Sequence, residues 1–266
     1  SWTKVGFQHK YDLEGLGLYE NFFRTNTLFQ FSSQIGLIER FNWIELNRFW
    51  VETDLFDGFT QRAYLVTRDY EPKGNYTFAY RRPSADGQQA SSKFKTSALT
   101  LESRYAPKEK IAINGNQRTR LRSEEAPVLS LSYTAGLKGF LGSDFEYHKG
   151  AVEVHQHLNM GAIGRGRYEV EGKKIFNRLP YPLLNLLPGN ETIISNNDTY
   201  NMMDFYEFVA HETVSFSYTH HFDGLLLSRV PLLRQTDWRL MGRGKAVFGD
   251  FNAQNDNYIP KADTPD

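Results

Sequence analysis

His155 and His157 stand two residues apart, and beyond a glycine-rich break Glu169 and Glu171 repeat that spacing. Imidazole and carboxylate are ligand types suited to zinc or iron, so a metal site is the sharpest reading of this quartet. The plainer reading is a row of imidazoles hydrogen-bonded to carboxylates on a wetted wall. Alternate residues of one strand stand too far apart for a tight tetrahedral cage, and no fixed-spacing motif such as HExxH occurs. The adjacent His220 and His221 point to opposite sides if their segment is a strand, which makes a poor metal clip. The plainer reading is therefore preferred, and no metal or cofactor is expected.

The element that must position the quartet is a hairpin. In AVEVHQHLNMGAIGRGRYEVEGKKIF (residues 151–176), Val152, Val154, Leu158 and Met160 alternate with Glu153, His155, His157 and Asn159. Taking Ala162-Ile163-Gly164 as a three-residue turn, with glycine in the left-handed position such turns need, Asn159 faces Arg167 and His157 faces Glu169. His155 then faces Glu171, and Glu153 faces Lys173. A slip of one residue would put Tyr168 and Val170 on the polar side, so cross-strand charge pairs are expected to fix the register.

The same period of two recurs along the chain. Leu129, Leu131, Tyr133 and Ala135 oppose Ser130, Ser132 and Thr134; Val214, Phe216, Tyr218 and Phe222 oppose Ser215, Ser217, Thr219 and His221. Leu99, Leu101 and Tyr105 oppose Thr100, Glu102 and Arg104, while Trp238, Leu240, Ala246 and Phe248 oppose Arg239, Arg243 and Lys245. Further strands are expected near residues 28–36, 48–56, 59–68, 76–82 and 111–120. Turn sequences separate them, Asp57-Gly58, Asn114-Gly115 and Asp223-Gly224 among them, although Asn114-Gly115 falls inside an otherwise strand-like run. Residues 38–50 are the best helix candidate, as a short helix or an irregular loop. Pro180, Pro182 and Pro188 bar residues 177–205 from a central ladder, so that stretch reads as a long irregular excursion across one mouth of a barrel. LLLSRVPLLRQTDW reads as a connection at a membrane surface.

Composition narrows the classes. Lys+Arg and Asp+Glu are both 31, so no net field favours nucleic acid, and the QRTRLR cluster alternates across a strand. There is no cysteine, hence no disulfide and no thiolate ligand or nucleophile. Walker-type, Rossmann and GxSxG patterns are absent. No run of about 18 apolar residues could form a transmembrane helix, yet a mean hydropathy of −0.54 is compatible with barrel strands, which meet lipid only at every second position. The start of the chain lacks the pattern of a signal peptide.

One apolar and one charged face per strand fits two architectures. A soluble sandwich would hold Arg104, Arg118, Arg120, Arg165, Arg167 and Lys245 in solvent. A barrel would turn them inward. Aromatics at 15% of the chain, recurring on the apolar faces and near strand ends, favour the barrel. The expected fold is all-β, an antiparallel transmembrane outer-membrane β-barrel, as one domain over residues 1–266. Its lumen-facing polar cluster is Glu153, His155, His157, Arg167, Glu169, Glu171, Arg239 and Arg243.

SKFKTSALTLESRYAPKEKIAINGNQRTRL, PVLSLSYTAGLKGFLGSDFEYHK, IFNRLPYPLLNLLPGNET and YTHHFDGLLLSRVPLLR carry a resemblance. In collinear order over most of residues 50–250, the chain resembles the Bacteroidota outer-membrane barrels of unknown function whose full-length members begin with a carboxypeptidase-regulatory-like domain. The resemblance implies a barrel in the outer membrane of a Gram-negative cell and brings no reaction and no catalytic residue. Neither that small sandwich nor an alternating final strand ending in an aromatic is found here, so an incomplete barrel is expected. Outer-membrane lipid is the expected partner, with other envelope proteins beside it and no nucleic acid. The expected role is transport, binding or assembly at the outer membrane. The alternatives are a soluble β-sandwich that binds through its aromatic surface, and a barrel-housed hydrolase drawing on groups such as Ser143, Asp144 and His148.

Overall fold

The computed structural model describes residues 2–15, 40–74, 80–84, 87–91, 93–115, 117–121, 126–187, 189, 199–203, 207–225, 227, 236 and 238–250. The strands are β1 (Thr3–Gly15), β2 (Arg40–Phe56), β3 (Phe59–Gly74), β4 (Tyr80–Ser84), β5 (Gly87–Ser91), β6 (Phe94–Tyr105), β7 (Lys110–Asn114) and β8 (Gln117–Leu121). They continue with β9 (Val128–Gly136), β10 (Tyr147–Asn159), β11 (Arg165–Ile175), β12 (Asn185–Leu186), β13 (Val209–Ala210), β14 (Glu212–His221) and β15 (Met241–Asp250). Nine of them form one antiparallel sheet in the order β1-β2-β3-β6-β9-β10-β11-β14-β15. The pairs β4–β5, β7–β8 and β12–β13 are separate two-stranded ladders. The all-β, antiparallel expectation holds. Among the described residues the sheet is not closed into a barrel: β1 and β15 are its two edges, and no ladder joins them.

Three local expectations are corrected. Residues 40–50 of the 38–50 candidate belong to β2, a strand and neither a helix nor an irregular loop, and the strand expected at 48–56 is the second half of the same β2. Their apolar residues mix helical and strand spacings, and pairing with β1 and β3 along nearly the whole length decides the matter. Residues 111–120 are two strands, because Gly115 adopts φ +58° and turns the chain between β7 and β8. The β10–β11 turn is five residues long, Met160 to Gly164, with a 3-10 turn at Gly161–Ile163. The candidate strand at 28–36 lies outside the described residues, as do most of residues 76–82 and of LLLSRVPLLRQTDW.

The sheet is inverted in polarity. On β9, Leu131 and Tyr133 are 47% and 48% exposed, whereas Ser130 and Ser132, which alternate with them, are 4% and 6% exposed. The same sorting puts Leu99, Leu101, Val152, Val170, Val214, Phe216 and Phe248 outside, and Thr100, Glu102, Glu153, Glu169, Thr213 and Thr219 inside. A sheet of a water-soluble protein with one solvated face does the opposite.

A cluster of buried apolar residues occupies the inner face at one end. Ile44, Leu46, Tyr70, Phe94, Tyr147 and Ile175 cluster there with Leu179, Leu183, Leu184 and Leu186. The last four come from the expected excursion, which is irregular over its described part apart from a 3-10 turn at Tyr181–Leu183 and the short β12. Gly136 makes room for this end of the sheet, since a Cβ there would run into the Tyr147 ring.

Candidate functional site on the inner polar face

Period-two alternation brings charged side chains of several strands onto the inner face, and the ladders set them side by side. Glu52 of β2, Arg62 of β3 and Glu102 of β6 are direct cross-strand neighbours. Arg62 Nε donates to Glu52 Oε2 at 2.6 Å, and its Nη1 donates to Glu102 Oε1 at 3.0 Å. Tyr64 donates its hydroxyl to Glu102 Oε2 at 3.2 Å. The β7–β8 hairpin reaches the same group: Arg120 Nη2 donates to Glu52 Oε1 at 3.0 Å and to Thr60 Oγ1 at 3.1 Å. Arg104 grips Glu109 through two bonds of 2.8 and 2.7 Å, a bidentate fork. Burial draws the Arg120 pKa below its ordinary value and the Arg104 guanidinium adds to this, while Glu52 and Glu109 pull it back. Three arginines and three glutamates thus interlock as a neutral brace.

The hairpin that carries the imidazole–carboxylate quartet is slipped by two residues from the expected register. His155 faces Glu169, His157 faces Arg167, Glu153 faces Glu171 and Asn159 faces Arg165. A slip of two keeps every side chain on its face, so the polar sorting survives while the pairs change. The cause is the longer turn: Gly161 begins the 3-10 turn at φ +59° and cannot join the ladder. The close contacts run along each strand instead. His155 Nδ1 lies 2.8 Å from Glu153 Oε1, Arg167 Nη2 lies 3.0 Å from Glu169 Oε2, and Lys173 Nζ lies 2.9 Å from Glu171 Oε1. Each Glu153 and Glu171 carboxylate, facing the other across the ladder, is answered by a cation or imidazole two places along its own strand.

Six of the expected cluster residues therefore share one surface: Glu153, His155, His157, Arg167, Glu169 and Glu171. Arg243 joins the same face from β15, with Nε donating to Thr219 Oγ1 at 2.8 Å. Arg239 precedes β15 and is exposed, its Nη1 on the Trp238 carbonyl. The His155 and His157 ring centroids lie 6.5 Å apart. Among the described residues, no group of three or more His, Asp or Glu is placed to hold a metal ion.

His220 and His221 do alternate across β14. His220 Nε2 sits 3.0 Å from the Ile163 carbonyl, which can only accept, so the proton is on Nε2 and Nδ1 accepts from the Tyr218 hydroxyl at 3.0 Å. The hydrolase candidates are each engaged structurally. Ser143 Oγ accepts from Ser97 N and donates to the Phe145 carbonyl, Asp144 accepts from Lys95 N, and His148 Nδ1 bonds the Tyr133 hydroxyl.

Sequence reading missed Glu52, Arg62 and Lys149 as inner-face groups. The Asp57-Gly58 turn marks the hairpin, but the turn alone would set Glu52 against Ala63, and the register shift between Asp54 and Phe56 is what aligns Glu52 with Arg62. Lys149 is buried with its ammonium on a backbone carbonyl, and only the position of the excursion reveals why.

Residues 59–259 match the C-terminal domain of DUF5686, described as a family of unknown function. No curated protein matches the chain.

Proposed function

The chain belongs to the family of the DUF5686 C-terminal domain, and from that membership and the inverted sheet we propose that it is an outer-membrane β-barrel protein of a Gram-negative envelope. Its inner charged face lines a lumen, its outer apolar face meets lipid, and it serves transport, binding or assembly at that membrane. The Bacteroidota source and the N-terminal carboxypeptidase-regulatory-like domain implied by the resemblance are part of the same reading.

The observation that carries it is the polarity of adjacent residues on one strand, buried serine beside exposed leucine and tyrosine. Exposed apolar area spread over a whole sheet costs about 25 cal/mol for each Å² left in water, and lipid removes that cost. A sandwich would remove it with a second sheet, but no second sheet covers this face among the described residues. No helix among the described residues is long and apolar enough to cross a membrane, which says nothing against strands doing so. The brace of Arg62, Arg104 and Arg120 with Glu52, Glu102 and Glu109 suits a narrow interior, because its groups are occupied with one another.

Fractionation of cells carrying the full-length protein tests this. We expect it in the outer-membrane fraction with heat-modifiable migration in detergent. Recovery in the aqueous fraction would sink the lipid-facing assignment and leave the aromatic surface as a binding face.

A further inference from the structure

Leu179 and Leu184 are 0% exposed and Leu183 is 2% exposed, although they sit in a connection with almost no regular structure. Their surroundings explain it. Ile44 and Leu46 of β2, Tyr70 of β3, Phe94 of β6, Tyr147 of β10 and Ile175 of β11 send side chains into the same cluster. Five strands thus converge on one segment, so the segment lies against the inner face. The wall matches its occupant. Elsewhere the buried positions of that face are rich in threonine, serine and glutamate, and its buried apolar cluster lies where the connection lands.

A chain without regular structure in a buried setting must find partners for its carbonyls. Two lysines of the wall supply them. Lys149 of β10 is 5% exposed, and its Nζ donates to the Leu183 carbonyl at 2.6 Å. Lys245 of β15 donates from Nζ to the Thr199 carbonyl at 3.2 Å and stands 5.6 Å from the centroid of the Tyr200 ring. The two lysines hold the outgoing and returning limbs of the same connection. The β12–β13 ladder ties the outgoing limb to its own return, and Asn185 Nδ2 adds a bond to the His211 carbonyl at 3.3 Å.

We propose that the β11–β14 connection supplies a plug through its limbs at residues 176–187 and 199–203: they seat in the inner face at one end of the sheet, are latched there by Lys149 and Lys245, and close the passage until they are released. The passage rests on the barrel reading above; the seating does not. A lysine offers three donors and no acceptor, so its bonds to the plug are lost when the plug leaves and can be replaced by water in a wetted lumen. The leucines supply the larger part of the hold, and the lysines set where the limbs sit.

The chain has no cysteine, so one introduced thiol reports alone. In the full-length protein, Leu183→Cys is reacted with a membrane-impermeant maleimide and compared with Met202→Cys, whose parent side chain is 99% exposed. We expect Leu183→Cys to be protected and Met202→Cys to react freely. Adding Lys149→Ala and Lys245→Ala should speed labelling at position 183 by about tenfold or more, the factor carried by loss of a charge-assisted hydrogen bond, while heat-modifiable migration is retained. The same series on Leu184→Cys separates seating from damage at one site.

Equal rates at positions 183 and 202 in the parent, or no acceleration in the lysine variants, would overturn the plug. In planar bilayers the parent should be closed and the lysine variant should pass current; a freed Leu183 without current would refute the closing role. Loss of heat-modifiable migration in the parent refutes the barrel instead, and protection at position 183 still reads the seating.

Discussion

Arg62 is the residue on which the inner brace turns, because it joins Glu52 to Glu102. Replacing it with methionine keeps the length, leaves the buried Glu102 carboxylate without its cation and leaves Glu52 with Arg120 alone, a loss of about 3–5 kcal/mol for a buried pair. The urea midpoint of the refolded protein in detergent should fall accordingly. By contrast Asp223→Asn, which breaks the exposed pair with Arg165 at 2.9 Å, should leave that midpoint unmoved, and an equal fall in both would show that the brace is not special. His211 gives a pH dependence. Burial pushes its imidazole below the ordinary value of 6.5, against the opposing pull of Asp250 and Glu212. The unfolded chain therefore binds the proton first as pH drops. The stabilisation is complete above about pH 6.5 and drains away as pH falls toward the folded value. His211→Gln should flatten that part of the stability–pH curve between pH 7 and 5; a curve parallel to the parent's would show that His211 does not contribute.

At the scale of elements, the hairpin of β10 and β11 shows what the sequence could and could not tell. The alternation of Val152, Val154 and Leu158 with Glu153, His155 and His157 was enough to sort faces, because the side-chain period of a strand is fixed by geometry. The register was not legible from charge, because two registers two residues apart keep the same faces, and ion pairs can close along a strand as well as across it. The turn decides. Gly164 adopts φ +115°, and a Cβ there would run into the His221 carbonyl; Gly161 adopts φ +59° with open space around it. Gly164→Ala should cost about 1–3 kcal/mol, the range for a strained backbone position, and Gly161→Ala should cost less. Equal losses by chemical denaturation would mean that the turn is packed differently. The plug was legible only as an absence of ladder, through Pro180, Pro182 and Pro188. Its burial depends on side chains from five strands between 4 and 142 residues away, which no local pattern encodes. Likewise the strand at residues 40–56 needed its neighbours β1 and β3 to overrule a mixed local period.

For the whole molecule, the question is which solvent each face of the sheet was built for, and adjacent residues of β14 put it to a direct test. Phe216 is exposed and shares its face with its ladder neighbours Val170 and Ala246, whereas Ser217 points inward between Glu169 and Lys245. In a membrane an arginine at position 216 must enter hydrocarbon, at about 2–4 kcal/mol near the midplane of a barrel. An arginine at position 217 would enter a wetted interior next to a carboxylate. Phe216→Arg should therefore cut the heat-modifiable fraction formed in liposomes, and Ser217→Arg should leave most of it. In water the ordering reverses: replacing an exposed phenylalanine by arginine improves solubility, and forcing a cation into the buried inner face does the harm. One residue's step along a strand thus inverts the outcome according to what surrounds the sheet. Insertion that tolerates arginine at 216 and fails with it at 217 would assign the apolar face to water.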